Sequence, residues 1–139
     1  MTRVGFYVVQ VAQQGERLRV AARLADKAFA AGHRIYINAA DREQALLLDE
    51  LLWSFRTASF LPHDRIDERD DAPITLGWGQ EPDDHNDLLI NLQLEIPRFF
   101  SRFNRVCEVV TQDPDSLKAL RASWSFYRER GYALEKHDL

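Results

Sequence analysis

One hundred and thirty-nine residues, 45% hydrophobic and 29% charged, suffice to bury one core without staples, so a single domain over residues 1–139 is expected. No apolar run reaches the roughly 18 to 20 residues of a membrane span, and the N-terminus lacks the basic start and small-residue cleavage pattern of a signal peptide, so the reading is a cytoplasmic protein with no membrane contact. A net charge of −4 argues against a surface given over to nucleic acid, and the lone cysteine, Cys107, has no partner for an internal disulfide.

Residues 4–9 form a short β-branched and aromatic run that predicts a strand, and residues 16–31 follow with apolar side chains at helical spacing (Leu18, Ala21, Ala22, Ala25, Ala28, Phe29) closed by Gly32. The junction between them is where an α/β domain that binds nucleotides carries its phosphate loop. Such a loop needs GxxxxGK[ST] or GxGxxG, because clustered glycines let backbone N–H groups approach a pyrophosphate. Only Gly15 is available, among Gln13, Gln14 and Glu16. No cofactor is expected there.

Residues 34–38 (Arg-Ile-Tyr-Ile-Asn) predict a second strand, and Asp41 starts a helix in which Gln44 completes a capping-box-like pair before Leu46, Leu47, Leu48, Leu51 and Leu52. Two βα units in series imply an α/β fold whose central sheet is mostly parallel and flanked by helices. The pattern then loosens through residues 54–73, with a short extended piece at 59–61. Residues 74–78 and 88–92 read as strands, the second apolar enough to be central. Pro97 suits the first turn of a helix through Phe103, residues 105–111 read as a strand, residues 115–130 as the last helix ended by Gly131, and residues 132–135 as a final strand.

Little here points to catalysis. The four histidines make no HxxxH, HExxH or Cys/His spacing, so no metal is expected. Asp83, Asp84, His85 and Asp87 sit in a polar, proline-containing stretch and are expected to be solvated, as is the His63-Asp64 pair. No nucleophile motif is present, and Cys107, inside Val106-Cys-Glu-Val-Val110, is expected to pack as a small hydrophobe.

The last helix and the segment after residue 50 are more informative. At about 100° per residue, Lys118, Arg121 and Arg128 fall on one side of the helix beside Leu117 and Trp124, with Leu120 and Tyr127 continuing the apolar face. That pattern fits an ordinary amphipathic helix with solvated cations, a groove for an acidic peptide, or stacking of single-stranded nucleic acid on Trp124. Residues 51–63 carry three aromatics and a proline after a helix end, which fits core packing and partner docking equally well.

The Phe6-Tyr7 strand, Asp41-Arg-Glu-Gln-Ala45, Leu48-Asp-Glu-Leu-Leu-Trp53, Ser59-Phe-Leu-Pro-His63, Pro73-Ile-Thr-Leu-Gly-Trp78, Asp87-Leu-Leu-Ile-Asn91, Asp115-Ser-Leu-Lys118, Tyr127-Arg128 and Gly131-Tyr132 occur in an order that resembles the chi-subunit (HolC) family of bacterial DNA polymerase III. The resemblance spans nearly the whole chain. It implies a three-layer, nucleotide-binding-like fold without a phosphate loop and a non-catalytic accessory subunit. Members of that family pair with the psi subunit, which joins them to the clamp loader. They also bind the acidic C-terminal tail of single-stranded DNA-binding protein, which ends in phenylalanine, and so reach DNA only indirectly at replication forks. By motif, Trp53, Phe60 and Pro62 correspond to the psi-facing set. Lys118, Arg121 and Trp124 correspond to the tail-binding set, with Val110, Tyr127 and Arg128 as neighbours. A nucleotide- or phosphoester-processing enzyme and a direct single-stranded DNA-binding module are the competing readings.

Overall fold

Seven strands, all paired in parallel, form one sheet in a computed structural model that describes residues 1–54, 61–69 and 71–139. In chain order the elements are β1 (Arg3–Val8), α1 (Gln14–Ala30), β2 (Ile35–Asn38), α2 (Arg42–Ser54), β3 (His63–Arg65), β4 (Ile74–Gly77), β5 (Leu88–Asn91), a single 3-10 turn (Phe100–Arg102), β6 (Arg105–Val110), α3 (Pro114–Glu129) and β7 (Ala133–Asp138). Across the sheet the strands run β3-β4-β2-β5-β6-β1-β7.

Local chemistry explains where the helices begin and end. At the start of α2, Asp41 Oδ1 accepts the Gln44 N–H at 2.8 Å while Gln44 Oε1 accepts the Ala40 N–H at 2.7 Å, which is the predicted capping pair with its return bond shifted by one residue. Asp113 Oδ2 accepts the Ser116 N–H at 3.1 Å, and Pro114 occupies the first turn of α3, where no N–H is missed. Gly32 and Gly131 follow α1 and α3 with φ of 89° and 79°, a left-handed turn that a side chain resists.

The period-2 alternation of the strands sorts the core into two layers. Ile35, Ile37, Leu76, Ile90, Cys107 and Val109 face Val20, Ala21 and Ala25 of α1 and Leu48 and Leu52 of α2. Phe6, Leu89, Val106 and Val110 face the other way, against Tyr127 of α3 and the Phe99, Phe100 and Phe103 cluster. The fold is thus the expected three-layer α/β arrangement. Cys107 packs as expected, its thiol pushed up to about 11 by burial.

Four local expectations are corrected. The helix from Pro97 to Phe103 is only the 3-10 turn, because its N–H groups bond to carbonyls three residues back rather than four. His63 and Asp64 are not a solvated loop: they form β3 at the sheet edge, paired with Ile74 and Thr75. His85 is also buried, 3.0 Å from Thr75 Oγ1, while Asp87 accepts the Arg34 N–H at 3.0 Å. The final strand runs on to Asp138. The extended piece expected at 59–61 lies mostly outside the described residues.

This topology has a switch point between β1 and β6, since the chain leaves β1 by α1 toward one end of the sheet and leaves β6 by α3 toward the other. Open α/β sheets place ligands in such a crevice, at the carboxyl ends of the strands. Here protein groups fill it. Arg17 Nε, on buried Arg17, donates to the Val109 carbonyl at 3.2 Å, and Gln112 Nε2 donates to the Val9 carbonyl at 3.0 Å. The room left beside Arg17 and Glu108 is about 20 Å³, close to the size of a single water.

Candidate functional site

The outer flank of α3 brings four of the sequence-predicted residues together. Lys118, Arg121 and Arg128 are exposed, and none lies within ion-pair distance of a carboxylate among the described residues. Trp124, on the border between this flank and the core, is half-buried. Its ring lies 5.2 Å from that of Phe6, at 51°. The indole is therefore held against β1, and Arg121 and Arg128 stand one helical turn before and after it on the same flank. A fixed aromatic surface beside cations suits a ligand that carries both an apolar side chain and anionic groups.

The other two members of the set lie deeper. Tyr127 is fully buried, its ring 6.0 Å from Phe6 and 5.3 Å from Phe100. Val110 is buried at the end of β6, where it lines the small cavity with Leu120. Helical periodicity placed Tyr127 on the apolar face, and the structure makes it the centre of that face. These two residues support the surface from beneath.

That support is polar at its core. Tyr127 Oη donates to Glu108 Oε2 at 2.8 Å, Asn91 Nδ2 donates to Glu108 Oε1 at 2.9 Å, Asn38 Nδ2 donates to Asn91 Oδ1 at 3.1 Å, and the Gly79 N–H donates to Asn38 Oδ1 at 2.8 Å. The chain of bonds crosses β2, β5 and β6 and ends on α3, which fixes the helix laterally on the sheet. Burial lifts the Glu108 carboxyl to about 7, against the pull of Tyr127, Asn91 and Arg17 toward the ionised form. Nothing in the sequence pattern marked Glu108, because it stands in an apolar strand run and its partners are distant in sequence.

A second predicted set sits at the opposite end of the sheet. Trp53, at the end of α2, is 53% exposed, with its ring 5.0 Å from that of His63 and edge-on to it. Pro62, half-buried, directly precedes β3, and Phe60 lies outside the described residues. The His63 side chain is sealed from solvent, with Nε2 2.7 Å from Asp49 Oδ1 and Nδ1 2.6 Å from the Leu61 carbonyl. Asp49 and His63 thereby lock the end of α2 to the strand that follows Pro62, with Trp53 resting on the lock.

Among the described residues no three His, Cys, Asp or Glu side chains converge as metal ligands, and no helix is long and apolar enough to cross a membrane. Comparison with known proteins finds a match of residues 1–135 to the family model for the DNA polymerase III chi subunit, HolC. The chain is 48% identical over 139 residues to the DNA polymerase III subunit chi of Pseudomonas aeruginosa, covering all of this chain and 98% of that one. It is 35% identical over 115 residues to the protein of the same name from Escherichia coli K12, covering 80% of this chain and 78% of that one. For the Haemophilus influenzae protein the figures are 33% over 124 residues, 86% and 85%.

Proposed function

Because the chain belongs to the DNA polymerase III chi subunit family, whose members are accessory subunits of a replicative polymerase, we propose that it is a non-catalytic adaptor with two protein-binding surfaces. In this reading α3 binds the acidic C-terminal tail of single-stranded DNA-binding protein, and the surface around Trp53 and Pro62, with Phe60, pairs with the psi subunit and through it with the clamp loader. The protein then tethers the polymerase to coated single-stranded DNA without touching DNA itself, in the cytoplasm at replication forks.

The observation that carries the reading is the anchored Trp124 beside unpaired Lys118, Arg121 and Arg128. Arg121 and its neighbours would hold the carboxylates of the tail, and the indole would take the terminal phenylalanine. A charge-assisted hydrogen bond contributes about 1.5 to 3 kcal/mol before solvent screening, so two or three on an exposed helix plus one buried phenyl ring support micromolar binding. Contacts of that strength exchange fast enough for a moving fork.

Fluorescence anisotropy with a labelled peptide from that tail tests the reading. Binding should be micromolar, weaken as salt rises, and fall about tenfold or more in Arg121→Ala and in Trp124→Ala. Affinity unchanged in 0.5 M salt, or after removal of the terminal phenylalanine, would sink the α3 site. Retention of naked single-stranded DNA at physiological salt would favour a direct nucleic-acid contact instead.

A further inference from the structure

On the face that carries α1 and α2, the sheet extends beyond its helical cover. α1 packs on β2 and β6, whereas β7 lies past β1 at the end of the sheet and takes its helical contact from α3 on the opposite face. Between α1 and β7 runs an open groove of about 840 Å³, whose apolar lining includes Val20 and Leu24 of α1 and the ring of Tyr7. That ring is stacked on His137 of β7 at 4.6 Å and 16°, which holds the floor flat. A second recess of about 230 Å³ continues the groove toward Leu88, and Tyr7, Leu24, Lys27 and Arg105 belong to both.

Charge along this groove is uneven. Lys27 and Arg105 stand where the two recesses meet, and neither lies within ion-pair distance of a carboxylate among the described residues. Arg105 Nη2 instead donates to the Tyr7 hydroxyl at 2.7 Å, which orients the guanidinium along the groove floor. The other charged lining residues, Glu16 and Arg23, lie toward the far end and face each other at 3.9 Å, Glu16 also engaging Arg19, so the cations without an ion-pair partner are the two at the junction. The wall from Glu16 to Ala31 is about 22 Å long at a helical rise, which matches six or seven extended residues.

We propose that this groove is a docking site for an extended segment of a partner protein, apolar along its length and carrying carboxylates at the end that meets Lys27 and Arg105. Four features favour that occupant. An apolar floor rewards buried side chains, and two unpaired cations at one place reward a localised anion. Single-stranded nucleic acid would need cations spaced along its backbone, and Glu16 would oppose its phosphates. A second copy adding to the sheet edge is disfavoured by exposed Glu135, Lys136 and Asp138 on β7. The groove is on the face opposite α3, so it is separate from the proposed tail-binding surface.

The test is a two-dimensional 15N–1H NMR titration of the full chain with the probe acetyl-Val-Leu-Phe-Leu-Asp-Asp, and with the same peptide carrying Asn-Asn at its end. Saturable shifts should appear at the amides of Tyr7, Leu24 and Cys107. Affinity should fall about tenfold with the amide peptide and with Lys27→Glu, an exposed helix position where folding is not at risk. Lys27→Glu should leave binding of the single-stranded DNA-binding protein tail at α3 intact. The proposal is overturned by shifts confined to α3, by no shifts at about 1 mM peptide, or by equal binding of the amide peptide. It is equally overturned if oligo-dT produces the groove shifts in place of the peptide, or if those shifts follow protein concentration alone, which would mark a second copy.

Discussion

Glu108 shows how a single buried residue can couple the fold to pH. Its folded pKa, about 7, lies above the ordinary carboxylate value because burial disfavours the ion. Folding therefore binds a proton that the unfolded chain releases. The stabilisation is complete below about pH 4.5, declines as pH rises, and is lost above about pH 7; by linkage it amounts to about 3 kcal/mol. Urea titrations at pH 5 and pH 7.5 should show this decline in the native chain and flatten it in Glu108→Gln. An identical slope in both proteins would remove Glu108 as the cause. Gly77 makes a steric prediction: a Cβ there would collide with the ring of buried Tyr36, whose hydroxyl is committed to the Gln80 carbonyl at 2.6 Å. Gly77→Ala should cost about 2 kcal/mol or more in the same titrations, since neither the strand nor the tyrosine has room to give. Residues of this kind were poorly legible in the sequence. Lys118, Arg121 and Trp124 could be grouped because one helix orders them, but Glu108, His63 and Phe6 act through partners that only the tertiary fold brings near.

Among the elements, those with their own caps or apolar pattern were readable, and β3, made by pairing alone, was not. α2 and α3 start at capping carboxylates, α1 and α3 end before a glycine, and all three carry apolar periodicity, so their ends could be placed to within a few residues. β3 is three residues long, and it is a strand because β4 offers it an edge and because Asp49 and the Leu61 carbonyl hold His63 in place. No local pattern encodes that. The 3-10 turn fails for the opposite reason: Pro97 suits a helix start, yet the Phe100, Arg102 and Phe103 N–H groups bond three residues back, to Pro97, Phe99 and Phe100, and Thr2 Oγ1 takes the Ser101 and Phe103 carbonyls, so no α-helical turn continues. Capping itself can be tested on α3. Asp113, held below the usual carboxylate range by the Thr111 hydroxyl and by Ser116, loses both bonds in Asp113→Ala. About 1 kcal/mol of stability should go with them. Tail-peptide affinity in folded protein should change little, because Asp113 lies outside the Arg121 and Trp124 flank.

At the scale of the whole molecule, the sheet separates its proposed binding surfaces. Trp53 lies at the end of α2, the helix that packs on β3 and β4, whereas Trp124 lies on α3 across β6 and β7, on the opposite face. Sites that share no partner at such separation behave independently. Trp53→Ala should therefore leave tail-peptide affinity within about twofold, and its effect should add to that of Arg121→Ala in any assay that reads both contacts. Coupling well beyond that would require the sheet to transmit strain. The sheet order has one more consequence, in the time domain of protein synthesis. β1, made before both of its partners, is flanked by β6 and β7, pairing Arg3 with Arg105 and with Ala133. At roughly 5 to 20 residues per second, the nascent chain must carry β1 unpaired for several seconds until β6, which follows it by more than ninety residues, has been made. Phe6 and the residues around it are thus the segment that chaperones would have most time to meet.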